Sequence, residues 1–185
     1  MHPPSGPAWA VWLEASMVAV AMRQWLWLYP AVEIAHIVGF VVLVGAAFMF
    51  DARLLGLSRA LPVSAMATHL LRSARLALLV VAPSGLLMFV AHATEMSANP
   101  AFRLKLLLIA AAFLNAGLFH RWPFRAVGDW DTELAAPWPA RLAAMLSLVL
   151  WVGVIACGHD ANGSALVRAR TSTLGQCDRR AGDVA

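Results

Sequence analysis

The chain has 185 residues, 61% of them hydrophobic and 13% charged, where a soluble domain averages roughly 45–50% apolar and about 25% charged. That balance excludes a soluble globular domain of this size and leaves length for one four-helix membrane domain. The formal charge is +4 with 14 basic residues, all arginine except Lys105; they sit between apolar runs, where membrane topology places them, so no nucleic-acid partner is expected.

In chain order, residues 1–24 are expected to carry an N-terminal interfacial helix. Met1–Ala8 has no Lys or Arg, and Glu14 interrupts the apolar stretch, so the segment does not fit a signal peptide. Ala8–Met22 reads as an amphipathic helix lying in the interface, rich in Trp and Ala, with a fifth span as the alternative. Trp25, Trp27 and Tyr29 form an aromatic belt ahead of the first span. Four apolar stretches follow, Ala31–Phe50, Leu76–His92, Leu106–Phe119 and Leu142–Gly158. Each approaches the ~20 residues that cross a ~30 Å hydrocarbon core. The expected fold is therefore all-α, a polytopic membrane protein with four transmembrane helices in an up-down bundle over residues 25–160.

Details along the spans sharpen this. Asp51 and Arg53 are expected to close the first span, and Ser64 to cap the second helix after Pro62. Pro83, Ser84 and Gly85 predict a kink and a close helix contact within the second span. Asn99-Pro100 makes a turn, and Asn115 within the third span must face another helix. Trp122, Trp130 and Trp138 anchor the following loop in the interface. Residues 161–185 read as a disordered tail. Cys157 and Cys177 form no CxxC, so a disulfide framework is not indicated, and Cys157 reads as a free buried thiol.

Cation placement gives an orientation. Let side A be the face holding the N-terminus, the second loop and the C-terminus. Arg23, Arg103 and Lys105 lie there, against Arg53, Arg59, Arg72, Arg75, Arg121, Arg125 and Arg141 on side B. Side B is expected to be cytoplasmic, with both termini in the periplasm of a bacterium.

The candidate chemistry lies in the histidines. His36 and His92 fall on side A, His69 and His120 on side B. Helix 1 reads Glu33-Ile-Ala-His36 and helix 2 ends His92-Ala-Thr-Glu95, a mirrored order in antiparallel helices. Residues three apart share a face, so both histidines are expected at one depth and both glutamates at another. Such a pair has the elements of axial ligation to haem b, with His69 and His120 as a second pair. Alternatively, Glu33, His36, His92, Glu95 and Met96 form a transition-metal site, with the thioether favouring copper. A third reading is headgroup contact without any cofactor. His159, after the last span, reads as a solvated residue.

The stretches WLYPAVEIAHIVGF, FDARLLGL, NPAFRLKLLLIAAAFLNAGLFHRW and SLVLWVGVIACG resemble an uncharacterised bacterial family of small four-helix membrane proteins, of the domain-of-unknown-function class, over about Trp25–Gly158. That family is in turn distantly similar to copper resistance protein D and to di-haem b-type cytochromes. The resemblance implies copper handling or transmembrane electron transfer. It rests on Glu33, His36, Asp51, Arg53, Lys105, Asn115 and His120; His92 and the tail fall outside its pattern.

No GxSxG, phosphate-binding Gly loop or HExxH occurs, so no hydrolase or group-transfer activity is expected. The expected protein is a bacterial inner-membrane bundle binding haem b and carrying electrons to a membrane or periplasmic redox partner. Copper binding or transport, and a structural subunit without cofactor, are the alternatives.

Overall fold

The computed structural model describes residues 6–57, 61–122, 124, 127, 131 and 136–158. Among these the chain is all helix: α1 (Ala8–Glu14), α2 (Met17–Gln24), α3 (Leu28–Leu55), α4 (Val63–Ala91), α5 (Ala93–Ala98), α6 (Pro100–Arg121) and α7 (Trp138–Gly158). The positions of His159, Arg59, Arg125, Trp130, Cys177 and the tail at 161–185 lie outside the described residues.

Four helices, α3, α4, α6 and α7, have 28, 29, 22 and 21 residues and mean hydropathies of 2.2, 2.0, 1.7 and 2.1 over their most apolar stretches. A helix apolar on every side must be sealed in protein or in lipid. Here much of that surface faces outward: Leu79 is 72% exposed and Val149 68%. The chain is a multi-pass membrane protein.

The four spans alternate in direction. α3 and α4 run antiparallel, with Gly39 against Ala77 and Val81, and His36 against Gly85. α6 and α7 do likewise: Asn115 Nδ2 donates to the Ala143 carbonyl at 2.9 Å, and Gly153 abuts Leu108. Asn115 thus meets a neighbouring helix, as an amide in hydrocarbon must. One apolar cluster at mid-bundle joins Leu43, Val44, Ala77, Ala112, Trp151 and Val154. A second, toward side B, joins Leu54, Val63, Phe119, Ala140 and Ala144.

The N-terminal segment is two short helices rather than the one expected over Ala8–Met22. Ser16 is the cause. Its backbone is extended, and its side chain accepts from the Ala19 amide at 3.3 Å, which starts a new helix. At 7 and 8 residues, each is far too short to span. The hairpin is tied to the side A end of α4: Arg23 donates to the carbonyls of Ala91 at 2.8 Å and Glu14 at 2.7 Å. The Glu14 carboxylate accepts from the Thr94 amide at 2.8 Å and hydroxyl at 2.7 Å.

On side B, three expectations are corrected. α3 does not close at Asp51 and Arg53 but continues to Leu55, ending on Gly56 at a φ of 111° that favours glycine. Asp51 and Arg53 are buried, 6% and 3% exposed. Ser64 does not cap α4. It lies inside the helix and donates instead, its amide and hydroxyl reaching the Asp131 carboxylate at 2.7 and 2.6 Å. Asp131 is the capping group, brought back from the long loop, and Arg53 binds that turn through the carbonyls of Leu61 at 2.7 Å and Asp131 at 3.3 Å.

Candidate functional site

The polar groups of the bundle interior fall at two levels on α3. His36 and Asp51 are fifteen residues apart, about 22 Å along a helix axis at ~1.5 Å per residue.

At the side A level, His36 is absorbed by the helix contact. Its Nδ1 lies 3.1 Å from the Val81 carbonyl and 3.0 Å from Ser84 Oγ. A carbonyl only accepts, so Nδ1 carries the proton. Ser84 in turn donates to the Val80 carbonyl at 2.6 Å. These side chains supply donors beside Pro83, which has none of its own. A β-carbon at Gly85 would lie 2.9 Å from His36 Cε1, so the ring rests directly on the α4 backbone. Lys105 occupies the same end, 6.0 Å from the Phe40 ring centroid and beside Gly158.

His92 does not share that level. It lies seven residues beyond Gly85, about 10 Å along the axis, where α4 stops and α5 starts. Its φ and ψ of −137° and 42° break the helix, so His92 and Glu95 do not share a helix face. The break is held by Glu14, which takes the Thr94 amide as described. The His92 ring meets Tyr29 edge-on at 5.4 Å, and its Nδ1 is buried without a partner. Glu33 and Glu95 are exposed, and Met96 is half-buried.

The expected ligand sets are therefore not assembled. Among the described residues no group of three or more His, Cys, Asp or Glu side chains could hold a metal ion. The His36 ring is packed on Gly85, with no gap for a macrocycle on that side. On side B, His69 is exposed near the start of α4 and does not line the cavity that His120 lines. The residues present do not fit the haem or copper that the resemblance implies.

What the structure assembles instead is a partly open cavity of about 210 Å³ toward side B, lined by α3, α4, α6 and α7. Its walls include Phe50, Phe113, Phe119 and Trp151, and its polar lining is Asp51, Arg75, Asn115, His120 and Ser147. Two lining atoms are buried with no hydrogen-bond partner, Asp51 Oδ2 and His120 Nε2. His120 Nδ1 lies 2.9 Å from the Ala116 carbonyl, which fixes the proton on Nδ1 and leaves Nε2 as an acceptor. Ser147 lines the same wall from α7. Phe124, from the loop, packs on the His120 ring at 5.2 Å. Buried polar atoms are nearly always satisfied, so two orphans on one cavity make it the candidate site. His120 was legible in the sequence as a polar group at a span end. Asp51 was legible in the same way, at the end of the first span; that the two line one cavity was not.

Two carboxylates outside the spans, Glu14 and Asp131, are held ionised. Burial pushes the Glu14 carboxyl up, but the Thr94 hydrogen bonds, with Arg23 and His92 nearby, hold it below its ordinary range. Hydrogen bonds from the Ser64 side chain and backbone do the same for Asp131.

A family model described as a family of unknown function, DUF6644, matches residues 9–163. The chain belongs to that family. No curated protein and no solved structure matches it.

Proposed function

We propose that this member of DUF6644 is a bacterial inner-membrane protein that binds a small, largely apolar molecule inside its helix bundle, in the cavity lined by Asp51 and His120. The observation that carries the reading is the pair of unpartnered buried atoms, Asp51 Oδ2 and His120 Nε2, on one apolar cavity. Ionisable groups inside spans are costly and mark substrate or ion pathways. At about 210 Å³ the space is below the ~300–1,000 Å³ of pockets for drug-sized ligands. It exceeds the ~150 Å³ of an engineered cavity that takes benzene. A single substituted ring is the right scale. The arginine distribution supports an orientation with this cavity in the cytoplasmic half and the α1–α2 hairpin on the periplasmic side.

The test is ligand stabilisation. Benzyl alcohol should raise the melting temperature of the purified protein in nanodiscs saturably, since a ligand that binds only the folded state stabilises it by mass action. Ala112→Leu, which fills the cavity wall, should abolish the saturable shift. An equal shift in both proteins would remove the reading. A haem band or stoichiometric copper in the purified protein would instead return the histidine readings to the front.

A further inference from the structure

The chemistry of the ligand can be taken further by accounting for every hydrogen-bonding group on the cavity wall. This step rests on the cavity-binding reading above. Asn115 Nδ2 binds the Ala143 carbonyl and His120 Nδ1 binds the Ala116 carbonyl. The buried side-chain atoms of the wall that keep no partner are a carboxyl oxygen, Asp51 Oδ2, and an imidazole nitrogen, His120 Nε2. The carboxyl belongs to a residue 94% buried, the complement of its 6% exposure.

Charge points the same way. Arg53, two residues along α3, is turned to the Leu61 and Asp131 carbonyls. Arg75 lines the cavity from α4 but is exposed and gives Asp51 Oδ2 no hydrogen bond. From α6 the titratable neighbour is His120, and from α7 the polar neighbour is Ser147. A buried carboxylate calls for a paired positive charge with donors. The remaining wall is aromatic, and the faces of Phe and Trp attract cations.

We propose that the Asp51–His120 cavity takes a small amine in its ammonium form, its N–H donors directed at Asp51 Oδ2 with His120 Nε2 as the second acceptor, and its apolar body against Phe50, Phe113, Phe119 and Trp151. An ammonium carries three donors and no acceptor, which is the complement of what the wall leaves open. A carboxylate ligand has the opposite pattern and would be repelled by both acceptors. A phenol or alcohol satisfies one acceptor and brings no charge.

Four probes of one size separate these cases: benzylamine, benzyl alcohol, toluene and benzoate, measured by saturable thermal shift and by titration calorimetry in nanodiscs of zwitterionic lipid. Benzylamine should bind at least about tenfold more tightly than benzyl alcohol, the scale of a hydrogen bond to a charged group. In Asp51→Asn the ratio of benzylamine to benzyl alcohol affinity should fall to about one. Equal binding of amine and alcohol by the native protein would overturn the amine assignment and leave the cavity reading standing. Preference for benzoate would overturn it too, and would make Arg75 the recognising group. If no probe binds saturably, both fall. Should Asp51→Asn not fold, the native selectivity among the four probes still decides the matter.

Discussion

A β-carbon at Gly85 would lie 2.9 Å from His36 Cε1 and 3.4 Å from Nδ1, so Gly85→Ala should drive the imidazole off its seat. The ring cannot tilt freely, because Nδ1 is tied to the Val81 carbonyl and Ser84 Oγ at 3.1 and 3.0 Å. Overpacking of this kind costs ~1–3 kcal/mol, and weakening the imidazole bond removes up to ~0.5–1.5 kcal/mol. Against this, Ala in a helix is better than Gly by ~0.8–1.0 kcal/mol. The net expected loss is about 1–3 kcal/mol, and the clash should be visible mainly as coupling. In a His36→Ala background the β-carbon meets open space, so Gly85→Ala should be neutral or stabilising by up to about 1 kcal/mol. Reversible unfolding in mixed micelles for the four proteins of the cycle measures the coupling, expected at ~1–4 kcal/mol. Equal destabilisation by Gly85→Ala in both backgrounds would refute the proposed contact between ring and backbone.

Two further predictions follow from the latches at either end. Asp131→Ala removes the acceptor for the Ser64 amide and hydroxyl and should cost about 1–2 kcal/mol, the range of a lost helix cap. Ser64→Ala should cost less, and the double variant no more than Asp131→Ala alone, as read by the same unfolding assay; fully additive losses would separate the two residues. Glu14 is held below its ordinary range in the folded protein, so its contribution is complete at neutral pH and is lost as the pH falls through the folded value. The protection of the α1 and α2 amides from hydrogen exchange, corrected for the intrinsic rate at each pH, should therefore fall on acidification, and Thr94→Val should flatten that dependence; protection independent of pH in the native protein would exclude the latch.

How far the fold was readable depends on the range of the interaction involved. The spans are legible because lipid demands an apolar surface on every side, a property of composition within about 20 residues. Asn115 and Gly85 are legible for a related reason: a lone amide or a missing side chain inside a span has few uses besides contact with another helix. The Asp131 cap is not legible, since it acts on Ser64 from 67 residues away while Ser64 itself has the character of a cap. The break at His92 is hidden in the same manner. Ala-Thr-Glu-Met after it is compatible with helix, and what stops α4 there includes a carboxylate from α1, 80 residues distant. The mirrored Glu and His order was real in the sequence but assumed helix through residue 95, and that assumption failed with the break.

The contrast between the two levels of the bundle decides where function is sought. His36 looks the more promising group by sequence, deep in a span and next to a second helix carrying polar residues. In the folded chain its donor is consumed by the Val81 carbonyl and Ser84, and its ring fills the space that Gly85 leaves. It behaves as a helix-packing residue. His92 retains an unpartnered nitrogen, but the Tyr29 ring lies edge-on against it. Only at Asp51 and His120 do unpartnered atoms belong to residues that line the described cavity. A bundle selected for stability alone would gain by replacing Asp51 with an apolar residue of similar size, because a buried acid without full hydrogen bonding is a net cost. Its presence beside an aromatic-walled space is what the proposed binding site on side B requires.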